Sequence, residues 1–288
     1  MTALAYCQAS ALPLERLTAA FNLGFAGYLL PMEQTPESLG RMMNEVDVRL
    51  EDSLALFADG EPAGIGLVAV RGARGWIAGM GVAPAWRGQG VGGELLRQLL
   101  IRLGGAGVRE VQLEALEANT TAISLYQKAG FRTLRPLTVY QGPLLRDSLG
   151  PPPADGARVR AAPARLALAD FAAYHPVAPA WQRELATLER ANRGMRGLGL
   201  WHAGRLRAYA FHARQSGGYA LLDGGSSADD AETRRSDVAR LLRALAATTP
   251  GALFRAINAP PGDALGDALA ALGCPVALTQ REMIRALP

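Results

Sequence analysis

Along the first 145 residues the spacing of apolar positions changes period several times. A short apolar stretch over 3–7 predicts a strand. Helical spacing over 14–24 and 36–45 follows, with Pro36 suited to a first turn and Thr35 to the cap before it. Strands are predicted over 53–59, 62–71 and 75–84, separated by Gly60-Glu61 and a Gly/Arg turn. Val91, Leu95, Leu99 and Leu103 recur every fourth residue, one face of a helix over 88–104. A strand over 108–116, a helix over 119–129 closed by Gly130, and short strands over 131–134 and 137–142 complete the series. The order β-α-α-β-β-β-α-β-α-β-β predicts an α/β (α+β) fold, a mixed sheet with helices on its faces.

The second half repeats that order more faintly. Residues 157–162 are strand-like and 181–191 helical. A hairpin turns at Gly204, and a strand follows over 217–225. A helix over 231–247 carries Val238, Leu241, Leu242 and Leu245. A strand over 252–258, a helix over 261–272 closed by Gly273, and a strand from Val276 onward end the chain. Two similar domains are expected. Pro151, Pro152 and Pro153 are stiff and cannot donate to a sheet, and Asp155-Gly156 is a turn signal. This places the domains at 1–145 and 158–288, with a linker over 146–157.

Composition narrows the setting. About half of the 288 residues are apolar (49%), as in a globular protein. No apolar run reaches the roughly 20 residues of a membrane span, and no basic segment opens the chain. Cys7 and Cys274 lie at opposite ends without metal or redox spacing, so a reduced, cytoplasmic protein is expected. Of the 30 basic residues only Lys128 is lysine, a bias of genome composition more than of function. Residues 1–145 hold 12 basic and 13 acidic side chains; the remainder hold 18 and 13. That surplus is too thin to imply a nucleic-acid partner. His175, His202 and His212 lack metal spacing and read as structural; no metal is expected.

The chemistry concentrates in Val82–Gly92, V-A-P-A-W-R-G-Q-G-V-G. An apolar strand enters a Pro turn, and a glycine-rich loop opens an amphipathic helix. Such a loop aims unpaired backbone N–H groups at one point, and the helix N-terminus adds positive potential there, which suits a pyrophosphate. No Lys-Ser/Thr follows, so the loop is not of the nucleotide-triphosphatase type. Gly79 and Gly81 in the preceding strand mark a bulge or a close backbone approach by a ligand. Trp86 reads as a packing or rim residue. Seven residues of helix turn about 700°, some 20° short of two turns, so Asn119 and Tyr126 share a face with Ile123.

The pattern G-V-x-P-x-x-R-G-x-G-V-G, with LEALEANTTAISLYQKAGF (113–131) about 30 residues on, resembles the acetyl-CoA-binding region of the GNAT acyltransferases. The resemblance covers about 53–142. It implies that the loop from Arg87 through Gly88, Gln89, Gly90, Val91 and Gly92 to Gly93 holds the CoA pyrophosphate. It implies that Met80, Gly81 and Val82 pair through their backbone with the pantetheine arm. Asn119 would contact the pantetheine and cap its helix, and Tyr126 would protonate the departing thiolate. Glu114 stands twelve residues before Tyr126, the spacing of the proposed base in the ribosomal-protein alanine acetyltransferases; a solvated edge carboxylate is the alternative. The acceptor pocket would involve 21–36, where Phe25, Tyr28 and Met32 either line it or belong to the core.

The matching second-half segment carries Asp229, Asp230 and Glu232 where the phosphates would sit, and these would repel them. Counting back from Gly273 puts Leu269 at the Tyr126 position and Gly262 at the Asn119 position. A degenerate second domain without a CoA site is expected, serving as support, in homodimer formation or in shaping the acceptor site. The resemblance implies acetyl transfer from acetyl-CoA to a primary amine of a small molecule or peptide. The alternatives are a non-catalytic acyl-CoA sensor or scaffold, and acetylation of a ribosomal-protein N-terminus or an RNA-linked amine.

Overall fold

The computed structural model describes residues 4–145, 155–191 and 194–288. The expected linker residues Pro151–Pro153 lie outside them. The chain divides into two units, residues 1–134 with 281–288, and residues 135–280. Among the described residues, no helix is long and apolar enough to cross a membrane.

In the first unit β1 (Leu4–Gln8), β2 (Leu54–Ala58), β3 (Glu61–Arg71) and β4 (Arg74–Val82) pair antiparallel in sequence order. β5 (Glu110–Leu116) then joins β4 in parallel. Side chains alternate across the sheet. Ala55, Ile65 and Leu67 point to α1 (Leu14–Gly24) and α2 (Pro36–Glu45) and pack on Leu17, Phe21 and Leu39. Val68, Ile77, Val111 and Leu113 point to the other face, under α3 (Val91–Gly105) and α4 (Thr120–Lys128). The four-residue repeat predicted for α3 is that buried stripe, with Leu95, Leu99 and Leu103 all but sealed from solvent. Thr35 caps α2 as expected: its hydroxyl accepts from the Ser38 N–H, and the Ser38 hydroxyl accepts from the Thr35 N–H.

The second unit repeats this order. β7 (Arg158–Ala161), β8 (Arg196–His202), β9 (Arg205–Gln215) and β10 (Gly218–Ser226) pair antiparallel, and β11 (Leu253–Ala259) joins β10 in parallel. α8 (Ala231–Thr248) and α9 (Ala264–Ala271) cover one face. α5 (Ala164–Ala169), α6 (Phe171–Tyr174) and α7 (Leu185–Arg190) lie on the other. The mixed α/β architecture in tandem is therefore as the sequence pattern indicates.

Several boundaries differ. The strands expected at 131–134 and 137–142 are one strand, β6 (Arg132–Gly142), which runs through Pro136. From Arg135 onward β6 belongs to the second unit, where Tyr140 pairs with Ala256 of β11. The last strand, β12 (Val276–Ala286), returns to the first unit at Arg281. There Met283 joins the α3–α4 core, and the Leu287 N–H donates to the Arg109 carbonyl. The first unit thus ends at 134, not 145, and regains the last eight residues. The helix expected at 181–191 is a 3-10 turn, Trp181–Arg183, followed by α7. The helix expected from 261 begins at Ala264, because Asp263 is its cap.

Candidate active site

β4 and β5 pair only from Arg74 to Trp76 against Glu110 to Gln112. Beyond Trp76 the strands part. The cause is local: in the β3–β4 ladder Leu67 faces Gly79 and Val68 faces Ile77, so Ala78 is an extra residue. Such a bulge bends its strand and re-aims the residues beyond it. The end of β4 keeps β3 on one side and presents its other backbone edge to the gap. Met80, Gly81 and Val82 line the resulting cleft of about 930 Å³.

The glycine loop closes one end. Gly88 (φ 75°) and Gly90 (φ 81°) take the left-handed conformation that side chains disfavour, and Gly90 stands at the N-terminal cap of α3. No side chain caps that helix, so its first N–H groups remain available to an anion. Gly92 and Gly93 face Leu125 of α4 and line the cleft with it. The residues present therefore fit a pyrophosphate. The Gln89 side chain turns away to the Ala85 carbonyl, and the Val91 side chain is buried with Leu56 and Ala63. Either residue can offer the cleft only its backbone. Trp86 packs beside that same cluster.

Gly81 is small for a reason other than a ligand. A side-chain carbon there would stand 2.7 Å from the Gly24 backbone, and one at Gly24 would stand 2.8 Å from the Gly81 carbonyl oxygen. The end of α1 lies directly on β4. Arg87 fastens it, donating from Nε to the Val82 carbonyl (2.8 Å) and from Nη2 to the carbonyls of Gly24 (3.2 Å) and Ala26 (2.7 Å). The guanidinium thus satisfies carbonyls at a helix C-terminus, where a cation is favoured.

Opposite the glycine loop, the Asn119 Oδ1 accepts from the Ala122 N–H at 3.1 Å, capping α4 as expected. Two turns on, the buried Tyr126 sets its ring edge-on to Phe131 and lines the cleft. Burial, and then the nearby Tyr28 hydroxyl, push the Tyr126 pKa well above the ordinary tyrosine value. The phenol is held protonated. Phe25 and Tyr28 form an aromatic wall of the same cleft, 5.4 Å apart and edge to face. Met32 packs on the α1–α2 core and is not part of the lining.

Glu114 is also outside the lining. It projects to the α1–α2 face of the sheet, and its Oε2 accepts from the Trp76 indole N–H at 2.8 Å. The cleft therefore assembles Tyr126, Asn119, the loop and the end of β4 but leaves out the expected base. Sequence reasoning missed Leu29 and Lys128 as lining residues. It also missed the holding role of the Arg87 side chain, which no local pattern announces.

In the second unit the corresponding split is shut. β10 and β11 part after Leu221 and Ala256, again at a bulge, beside Asp223. Only Ser227 to Asp230 separate β10 from α8, against eight residues between β4 and α3. Asp230 caps α8, accepting from the Thr233 N–H, so the protein's own carboxylate takes the anion position. The fully buried Arg183 spans the split, with Asp223 at 2.7 Å and Asp263 at 3.0 Å. His175 and the Tyr209 hydroxyl complete the network on Asp223. His175 is thus structural, as read. By cap position Asp263, not Gly262, matches Asn119, because α9 is a residue shorter than α4. Among the described residues, no three His, Cys, Asp or Glu side chains could hold a metal together.

Residues 28–131 match the model of the acetyltransferase (GNAT) family. No curated protein matches the sequence. Among solved structures, the GCN5-related N-acetyltransferase of Sphaerobacter thermophilus superposes with a TM-score of 0.68 at 16% identity, over 99% of this chain and 95% of the other. A tandem GNAT protein from the clavulanic acid biosynthesis pathway superposes with a TM-score of 0.67 at 11% identity, over 99% and 98%. The GCN5-related N-acetyltransferase of Anabaena variabilis gives 0.65 at 16%, over 98% and 72%. The chain as a whole therefore has the fold of these solved structures, the tandem GNAT protein among them.

Proposed function

We propose that the first unit transfers an acetyl group from acetyl-CoA to a primary amine by direct attack. One observation carries this reading. The parting of β4 from β5 puts an uncapped helix N-terminus at one end of a single cleft and a protonated phenol in its wall. The N–H groups from Arg87 to Gly93 bind the pyrophosphate, and the free edge of Met80–Val82 pairs with the pantetheine amides. Phe25 and Tyr28 wall the acceptor side. Tyr126 gives its proton to the sulfur as the thioester carbon leaves it. Glu114, tied to Trp76, would receive a proton from the acceptor only through water.

The test is thermal stabilisation by acetyl-CoA, followed by release of free CoA thiol with a panel of amines. Stabilisation and release are expected. Stabilisation without release from any acceptor would make the chain an acyl-CoA sensor, and no stabilisation would remove the loop assignment.

Two variants probe the parts. Gly90→Ala should cost about 1 kcal/mol of stability through its positive φ, and should sharply reduce stabilisation by acetyl-CoA. An unchanged ligand shift in melts would place the anion elsewhere. Arg87→Met frees the end of α1 while leaving the loop N–H groups in place. The acceptor KM should rise several-fold with stabilisation by acetyl-CoA largely kept; the reverse pattern would assign the guanidinium to the phosphates.

A further inference from the structure

Built on that transfer reading, the cleft also discriminates among acceptors. The charged side chains among its described lining residues are Arg87 and Lys128, both cationic. The acceptor side is uncharged and largely apolar: Phe25, Tyr28, Met80 and Tyr126, with Leu29 at the rim, 58% exposed. The nearest expected carboxylate, Glu114, is engaged by the Trp76 indole and stands outside the lining.

We propose that the acceptor is a weakly basic primary amine on an apolar or aromatic body, such as an arylamine or the α-amine of an apolar peptide, and not a polyamine or a lysine side chain. Two physical arguments support this. The uncharged acceptor wall offers nothing to draw an ammonium out of water, whose desolvation is costly. The attacking nitrogen must also be neutral. An alkylammonium with pKa near 10.4 is neutral in about one molecule per thousand at pH 7.4, whereas an α-amine near 7.7–8.0 is neutral in roughly a quarter. Arylamines are neutral throughout that range. An acceptor that arrives neutral needs no carboxylate beside it.

The step balances without one. The amine nitrogen bonds to the acetyl carbon, and the carbon–sulfur bond breaks. Tyr126 protonates the leaving sulfur. The excess proton on nitrogen passes to water and is restored to Tyr126 through solvent. The products are an amide and free CoA thiol.

The experiment measures kcat/KM by thiol release from pH 6.5 to 9.5. The acceptors are a substituted aniline, an apolar dipeptide amide, spermidine and an α-blocked lysine. The aniline or the dipeptide should exceed spermidine and blocked lysine by at least tenfold at pH 7. The rising limb for the dipeptide should follow its own ionisation, and the aniline should show none. Preference for spermidine or blocked lysine, or one rising limb shared by every acceptor, would overturn the inference and leave the transfer reading intact. Absence of release with all four would overturn both.

Discussion

Arg183→Met should lower the unfolding free energy of the protein by about 3–5 kcal/mol, the usual loss when one member of a buried ion network is removed. Arg183 is inaccessible to solvent and is the cation between two equally buried carboxylates, Asp223 and Asp263. Without it both acids face each other across the split between β10 and α9. The triple variant Arg183→Met, Asp223→Asn, Asp263→Asn should recover much of the loss, because it removes the two buried carboxylate charges that the single variant leaves without Arg183. Urea unfolding of the three proteins decides; a loss below about 1 kcal/mol for the single variant would mean that the network carries little. Acid gives a second readout. Burial alone would raise the Asp223 carboxyl, but the His175 and Arg183 charges beside it, with hydrogen bonds from His175 and Tyr209, hold it well below the ordinary carboxylate range. Its native pKa being depressed, its contribution is complete above roughly pH 4 and is lost as pH falls further. Arg183→Met should therefore flatten the acid limb of the stability curve.

That network shows where the sequence is silent. Arg183 reads locally as a surface arginine, and His175, Asp223 and Asp263 lie up to 80 residues away from it. Only folding brings them together. Elements with a local cause were legible. Thr35 and Asn119 announce their caps, and the four-residue stripe of α3 announces its buried face. The strand glycines announced the bulge, but their second cause, the contact of Gly81 with Gly24, joins residues far apart in sequence. Short helices were lost: α5 and α6 span ten residues between them and are too brief to establish a period. The unit boundary was misplaced for a similar reason, since it rests on which strand β6 and β12 pair with along each part of their length. In the site, the loop and Tyr126 follow from motif and helical spacing. The orientation of Glu114 does not, because it depends on Trp76 from a neighbouring strand.

Tyr126→Phe should reduce kcat by about 10²-fold or more, the scale of a lost general acid, while acetyl-CoA still stabilises the protein. Tyr126 lines the cleft, and its ring rests among buried residues where phenylalanine has the same shape. The substitution therefore separates chemistry from packing: an acid role lowers kcat with little change in melting temperature, and a packing role does the opposite. The pH profile sharpens the distinction. A general acid at Tyr126 would act in its protonated form, and burial, with Tyr28 nearby, raises its pKa. The falling limb of kcat should then lie above pH 10, beyond an ordinary tyrosine, so activity should persist at pH 9.5. Removing the second hydroxyl with Tyr28→Phe should move that limb to lower pH, because the raising influence of Tyr28 is gone. A limb below pH 9 in the parent protein would mean that another group donates the proton, and Tyr126 would then be a wall of the cleft and no more.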